Sequence, residues 1–208
     1  MVLEPTVLSG SYIRLEPLEL RHAEALAAAS AEDASLYEWS LVPRGLEAVR
    51  AYIETALAWR ASGTAVPFAT VRLADGAVLG STRFFDMERW AWPAGHARHG
   101  RPNPDACEIG YTWLSAGAIR TAANTEAKLL MLCYAFETLG VLRVCLHTDA
   151  RNRRSQAAIE RIGCKFEGVL RAHRMASDFT PRDSYRYSMI AGEWPEAKRK
   201  LAERLRKG

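Results

Sequence analysis

Glu108-Ile109-Gly110-Tyr111-Thr112-Trp113-Leu114, the polar turn Arg120-Thr121-Ala122-Ala123-Asn124-Thr125, and Arg143-Val144-Cys145-Leu146-His147-Thr148-Asp149-Ala150-Arg151-Asn152-Arg153-Arg154-Ser155 together decide the fold. The first run reads as a strand. The turn leads into a strongly apolar helix, and Arg143–Thr148 reads as a second strand. A strand that feeds a helix through a tight turn suits a phosphate-bearing ligand. First-turn N–H groups have no acceptor within the helix, and the helix dipole presents its positive end there. A second polar-headed helix opens straight after the next strand, so a two-sided cleft is expected.

Outward from this centre, Tyr12-Ile13-Arg14-Leu15-Glu16-Pro17-Leu18 alternates like a strand and is stopped by proline. Two helices are predicted, from about Glu19 to Ser30 and from Leu46 to Arg60; the second carries Val49, Tyr52, Ile53, Ala56 and Leu57 on one face. Tyr37-Glu38-Trp39-Ser40 and Pro43 read as a loop between them. Pro67–Leu73 and Val78–Phe85 form a predicted hairpin around Ala74-Asp75-Gly76. Glu88–Ala106, rich in Trp, Gly and Pro, is a long loop of the kind that is usually functional or mobile. Lys165–Met175 and Arg182–Ala191 close the pattern as a strand pair, with Ser177-Asp178 near the turn. There is no internal repeat and no low-complexity tract.

The 208 residues suit a single domain spanning 1–208, and 49% hydrophobic with 25% charged residues is ordinary for a well-cored soluble protein. Met1-Val2-Leu3-Glu4-Pro5 has no signal-peptide character, and no apolar run approaches the roughly 20 residues of a membrane helix. Cys107, Cys133, Cys145 and Cys164 lack paired metal-ligand spacing and read as reduced core thiols of a cytoplasmic protein. The 28 basic residues exceed the 24 acidic ones only slightly. The excess is local, on Arg151, Arg153 and Arg154 and in the tail, where residues 194–207 read as a basic C-terminal helix with Leu201 and Leu205 on its docked side. Basic residues are not interleaved with aromatics on one element, so direct DNA binding is not expected. His96 and His99 lack cysteine or carboxylate partners nearby, and no metal is expected.

The order of elements resembles the GNAT superfamily of acetyl-CoA-dependent N-acetyltransferases, and more closely its RimJ/RimL-like branch, which includes enzymes that acetylate the N-termini of ribosomal proteins. Four segments carry the resemblance: Glu108–Tyr111 with Trp113-Leu114; Asn124-Thr125-Glu126-Ala127-Lys128; Arg143-Val144 with Thr148–Asn152 and Ser155; and Gly163-Cys164-Lys165-Phe166-Glu167-Gly168-Val169-Leu170. Each is weak alone, and the four in order cover nearly the whole chain. The resemblance implies an α/β (α+β) fold: a mixed, mostly antiparallel central sheet with helices on both faces and a splayed central strand pair. The phosphate loop departs from the superfamily pattern of Gln/Arg-x-x-Gly-x-Gly/Ala, having Ile119, Ala122 and Asn124 at the matching positions. Alanine keeps a small side chain there, and asparagine tolerates unusual backbone angles or caps a helix.

From the resemblance, pantetheine would lie in the gap between the two strands and pair with backbone near Trp113, Leu114 and Ser115. The segment Arg120, Thr121, Ala122, Ala123, Asn124 and Thr125 would cradle the pyrophosphate. Asn152 would meet a pantetheine amide, or serve as an N-cap, or both. Ser155 would stand near the thioester sulfur and protonate the departing thiolate, or satisfy a first-turn N–H. Arg153 and Arg154 would meet the 3′-phosphate or remain surface arginines. Glu108 is the candidate general base, directly or through a water, against a structural carboxylate paired with an arginine; Tyr111 is an alternative polar group on the same strand. The acceptor side would be built from Tyr37, Glu38 and Trp39, from the loop holding Trp90, and from the final hairpin around His173 and Asp178. Such residues equally suit a homodimer contact or plain packing.

The implied activity is acetyl transfer from acetyl-CoA, with CoA as product, to a primary amine by direct attack in a ternary complex. A protein or peptide N-terminal α-amine, such as that of a ribosomal protein, is the leading acceptor. Two alternatives stay open: a small amine (polyamine, amino acid or aminoglycoside) as acceptor, and a CoA-binding module without catalysis.

Overall fold

A computed structural model describes Glu4 and residues 6–207; the sequence reading of the first five residues otherwise lies outside the described residues. Eight strands form one sheet in the order β1-β2-β3-β4-β5-β6-β8-β7. They are β1 (Leu8–Ser9), β2 (Ile13–Pro17), β3 (Ala65–Arg72), β4 (Val78–Glu88), β5 (Ala106–Leu114), β6 (Arg143–Asp149), β7 (Lys165–Met175) and β8 (Pro181–Ile190). The helices are α1 (Ala23–Ala31), α2 (Leu46–Ala61), α3 (Ala123–Cys133), α4 (Arg153–Arg161) and α5 (Trp194–Lys207). Every neighbouring pair is antiparallel except β5–β6.

Alternation along the strands sends residues to two different cores. Cys107, Ile109, Val144 and Leu146 pack with α3 residues Ala127, Met131 and Leu132 and with Trp194 and Leu201 of α5 on one face. Ala69, Val71 and Trp113 pack with α1 and α2 through Leu26, Val49 and Ile53 on the other. The mixed sheet between two helical layers is the expected architecture. Three local features differ from expectation. β1 is too short to show a pattern. The helix predicted from Glu19 begins as a tighter turn over Leu20–His22, where the His22 ring nitrogen Nδ1 accepts the Glu19 N–H at 3.1 Å. α3 starts within the predicted turn, because Thr121 Oγ1 accepts the Ala123 N–H at 3.2 Å and lets the chain coil early.

The placement of α3 is fixed by Glu126. Its carboxylate, only 4% exposed, accepts the N–H groups of Ser11, Tyr12 and Ile13, each at 2.8 Å. Hydrogen bonds to a charged group stabilise by about 1.5–3 kcal/mol each, so the first turn of α3 is tied to the start of β2. Gly10 is required there: a Cβ would stand 2.3 Å from Glu126 Cδ.

The parallel pair is short. Its register runs Ala106↔Arg143, Cys107↔Val144 and Glu108↔Cys145 and then stops, although β5 continues to Leu114 and β6 to Asp149. A bulge in β5 turns it away: Arg83 of β4 opposes Gly110 and Ser81 opposes Trp113, so Thr82 alone faces Tyr111 and Thr112. Tyr111 takes φ +52° at the bulge, an uncommon conformation for a non-glycine residue. The sheet therefore opens between β5 and β6.

Candidate active site

The opening holds a cleft of about 780 Å³. On the α3 side, the helix has no side-chain cap at Ala122, and its first hydrogen bond is from Glu126 N to Ala122 O. The N–H groups of Asn124 and Thr125 have no hydrogen-bond acceptor among the described residues. Two free amides at a helix N-terminus fit an anionic phosphate without any glycine in the loop. Arg120 lines the cleft and adopts φ +65°, and Thr121 and Asn124 line it too. Ala122, Ala123 and Thr125 do not line it.

Across the cleft, Asn152 caps α4 by accepting the Ser155 N–H at 3.0 Å. That bond uses Oδ1 and leaves Nδ2 as a donor in a residue that is buried and lines the cleft. Ser155 lines the cleft beside it. Arg154 also lines it while its guanidinium donates to the Leu36 carbonyl, and Arg153 Nη1 donates to Gln156 Oε1 at 3.2 Å. Trp113 and Leu114 line the cleft, but Ser115 does not: its N–H is bonded to Leu79 O at 2.7 Å.

The opposite face of the split strands presents ionisable side chains. Glu108 is buried, lines the cleft, and pairs across the register with Cys145. Two residues on, His147 therefore falls on the same face, and its Nδ1 lies 2.8 Å from Glu108 Oε2. Arg174 Nη2 lies 3.5 Å from the same oxygen. Glu108 is thus both a cleft carboxylate and a paired one. Both His147 ring nitrogens are buried without a hydrogen bond of good geometry among the described residues, so Nδ1 meets Glu108 as a close charge contact. His173 does not line the cleft but backs this pair, its ring 4.9 Å from that of His147; burial holds its pKa below the ordinary histidine value, with Arg174 and His147 adding to the effect.

Tyr111 lines the cleft at the bulge, and burial raises its pKa. Its ring covers the Arg83 guanidinium at 4.3 Å, with the Tyr52 and Trp59 rings at 4.6 and 5.3 Å. This aromatic cage holds an arginine that is 1% exposed. Tyr37 donates to the Leu114 carbonyl at 2.9 Å, and Trp39 lies 4.2 Å below the Arg151 guanidinium. Glu38 contributes only its carbonyl, which accepts from Ser177 in the β7–β8 turn. These contacts bridge the mouth of the cleft.

Trp90 is not brought into the cleft. Its N–H is held by Asp105 Oδ2 at 2.9 Å and its ring nitrogen donates to Glu88 Oε2 at 3.2 Å. His96 stacks on Trp92 at 4.1 Å, and among the described residues no three His, Cys, Asp or Glu side chains are grouped to hold a metal. No described helix is long and apolar enough to cross a membrane.

Among the cleft residues that escaped sequence reasoning are His147, Arg174, Arg182 and Lys128. Lys128 is one helical turn beyond Asn124, a spacing that placed it on the same face. Its ammonium donates to Thr112 Oγ1 at 2.6 Å and Thr82 Oγ1 at 3.3 Å, with no carboxylate partner among the described residues, and burial lowers its pKa to about 7.

Comparison with known proteins agrees with this geometry. Residues 13–165 match the family model described as Acetyltransferase (GNAT) domain. Among solved structures, a GCN5-related N-acetyltransferase from Brucella melitensis is similar at 28% identity and TM-score 0.83, covering 99% of this chain and 87% of that one. A candidate acetyltransferase from T. thermophilus is 34% identical with TM-score 0.78, covering 99% and 100%. Mycobacterium smegmatis RimJ, solved in complex with CoA-disulfide, shares the fold at 20% identity and TM-score 0.75, covering 97% and 93%. Comparison with curated proteins gives no match. The matched span runs from β2 into β7 and takes in both strands of the split pair with α3 and α4, and the chain belongs to the GNAT family of acetyltransferases.

Proposed function

We propose that the protein moves the acetyl group of acetyl-CoA to a protein or peptide N-terminal α-amine by direct attack in a ternary complex, in the manner of the RimJ/RimL-like branch. The observation that carries this reading is the juxtaposition at the split: free helix amides on one side of the opened strands and the Glu108–His147 pair on the other. The acceptor amine must be neutral to attack the thioester. An α-amine with pKa near ~7.8 is about a tenth neutral at pH 7, whereas a lysine near ~10.4 is neutral at a few parts in ten thousand. A modest general base is therefore enough for an N-terminus.

In this reading the Asn124 amide at the head of α3, with Arg120 and Thr121 beside it, holds the diphosphate, and Asn152 Nδ2 orients the pantetheine arm. Glu108, directly or relayed by His147, takes the proton lost by the amine. Ser155 or Tyr111 supplies a proton to the leaving thiolate. The fold shared with RimJ supports the reading as a RimJ/RimL-like enzyme.

Thiol release from acetyl-CoA, followed with Ala- and Ser-starting peptides, with small amines and with no amine, tests this. Release that depends on peptide N-termini is the expected outcome. Release with small amines alone would transfer the reading to a small-molecule acetyltransferase. Tight binding of CoA with no release for any amine would make the protein a CoA-binding module.

A further inference from the structure

The β7–β8 ladder sets Arg174 directly opposite Arg182, and both side chains line the cleft. Like charges opposed across an antiparallel pair repel one another, so this arrangement calls for a counter-charge. The surrounding acids are already engaged. Glu108 sits between His147 and Arg174, and Asp86 lies 3.3 Å from Arg174 Nη2. Asp149 accepts from Arg151 Nε and Nη2 at 3.0 and 2.8 Å. Asp178 accepts from Thr180 and lies 3.5 Å from Arg151 Nη1. Arg182 makes no ion pair or side-chain hydrogen bond among the described residues, and its Nε is buried without a partner. Burial works against its charge, with Asp149 acting the other way and Arg174 adding to the burial effect.

Its position on the sheet tells which half of the cleft it serves. In the β6–β8 register His147 opposes Arg186 and Asp149 opposes Ser184, so the next residue of β8 on that face is Arg182. This is the face of Glu108 and His147. The free amides of α3, suited to the diphosphate, lie on the other face, where α3 packs. Arg182 is therefore separated from the phosphate end and adjoins the acceptor end.

We propose that Arg182, with Arg174 beside it, forms an anion-reading subsite, and that the preferred acceptor is an amine carrying a carboxylate a few bonds away. This deepens the acetyl-transfer reading and rests on it. A peptide beginning with Asp or Glu and a free acidic amino acid present the same chemistry from two sources. A polyamine or aminoglycoside brings further positive charge and is disfavoured.

The test is kcat/KM at saturating acetyl-CoA for C-terminally amidated Glu-Ala-Ala and Gln-Ala-Ala, for free glutamate and for spermidine. An acidic acceptor should exceed the glutamine peptide by about tenfold or more, as expected for a desolvated guanidinium–carboxylate pair. Whether the Glu peptide or free glutamate is better identifies the source, and either result sustains the subsite. R182Q, verified as folded by its melting curve and by CoA affinity, should bring the Glu/Gln peptide ratio close to one. Should R182Q not fold, the wild-type ratio is followed from about 0.05 M to about 0.5 M salt, across which a charge-based preference must shrink. Equal rates for the Glu and Gln peptides with no advantage for glutamate, a preference for spermidine, or a ratio unmoved by R182Q or salt would overturn the subsite while leaving acetyl transfer in place. No turnover of any amine despite bound CoA would remove the transferase reading and this inference together.

Discussion

On the α3 side of the cleft, what is offered to a ligand is mostly backbone: the free N–H of Asn124 at a helix end, fixed by Glu126 gripping three amides of the β1–β2 segment. On the Glu108 side it is almost all side chain: a carboxylate, an imidazole backed by a second one, and two arginines, drawn from β5, β6, β7 and β8. The difference teaches where this protein can vary. A backbone site survives most substitutions, since any residue supplies an N–H. In the proposed reading, that is how the loop before α3 can hold a diphosphate without the glycines of the superfamily pattern. A side-chain site changes with each residue, so chemistry and acceptor choice should be concentrated on the Glu108 side.

The comparison breaks first at Glu108. Replacing it with Gln keeps shape but removes the charge that faces His147 and Arg174. With Glu108 as base, kcat should fall by about 10²-fold or more, within the usual range for general-base catalysis. CoA affinity, measured by calorimetry, should stay within about twofold, because the groups proposed to hold CoA lie on the other face. A variant that keeps kcat but loses CoA affinity would reverse the assignment of the two sides.

The same contrast explains what could be read from sequence. The strands from β2 to β8 and all five helices announce themselves through local periodicity and through punctuation such as Asp75-Gly76, and the helix N-terminus at Asn124 is likewise local. The Glu108 side is not local. His147 reaches Glu108 only because Cys145 happens to register with it across the short parallel pair, and Arg174 meets Arg182 only through the hairpin ladder. Neither register follows from composition. Trp90 illustrates the opposite error source: an exposed aromatic in a long loop suggests a binding surface, yet its N–H and ring nitrogen are taken up by Asp105 and Glu88 around its own loop. Asn152 shows that two readings can coexist, since Oδ1 caps α4 and Nδ2 remains for the cleft.

Lys128 lies on the α3 side yet is a side chain, and it sharpens the contrast through stability. Burial lowers its pKa to about 7 in the folded protein, against about 10.4 when unfolded. Between those values the unfolded chain binds more protons, so stability gained from this group rises with pH, by up to about 1.4 kcal/mol per unit. The penalty is full below pH 7 and disappears above the unfolded value. In Lys128→Met the methionine suits the buried surroundings, and Thr82 and Thr112 still hydrogen-bond each other at 2.8 Å. Melting curves between about pH 7 and 8.5, below the ordinary titration of the cysteines, should rise with pH more steeply in the wild type than in the variant. Parallel curves would mean that the ammonium is already neutral, or fully charged, across that range.

The smallest effect is expected from Asn152→Ala, across the cleft from α3, and it tests whether the proposed hold on CoA really depends chiefly on the backbone at α3. Loss of the N-cap should cost about 1 kcal/mol and lower the melting temperature by about 2–4 °C for a chain of this size. Removing Nδ2 takes away one neutral hydrogen bond to the pantetheine arm, worth about 0.5–1.5 kcal/mol, so CoA affinity should weaken by no more than about tenfold. Asn152→Asp separates the two contributions. Aspartate caps a helix as well as asparagine does but has no donor, so the melting temperature should return while the CoA affinity does not. If affinity instead collapses by orders of magnitude in both variants, the cofactor is held chiefly by this side chain, and the division between a backbone-built and a side-chain-built half fails.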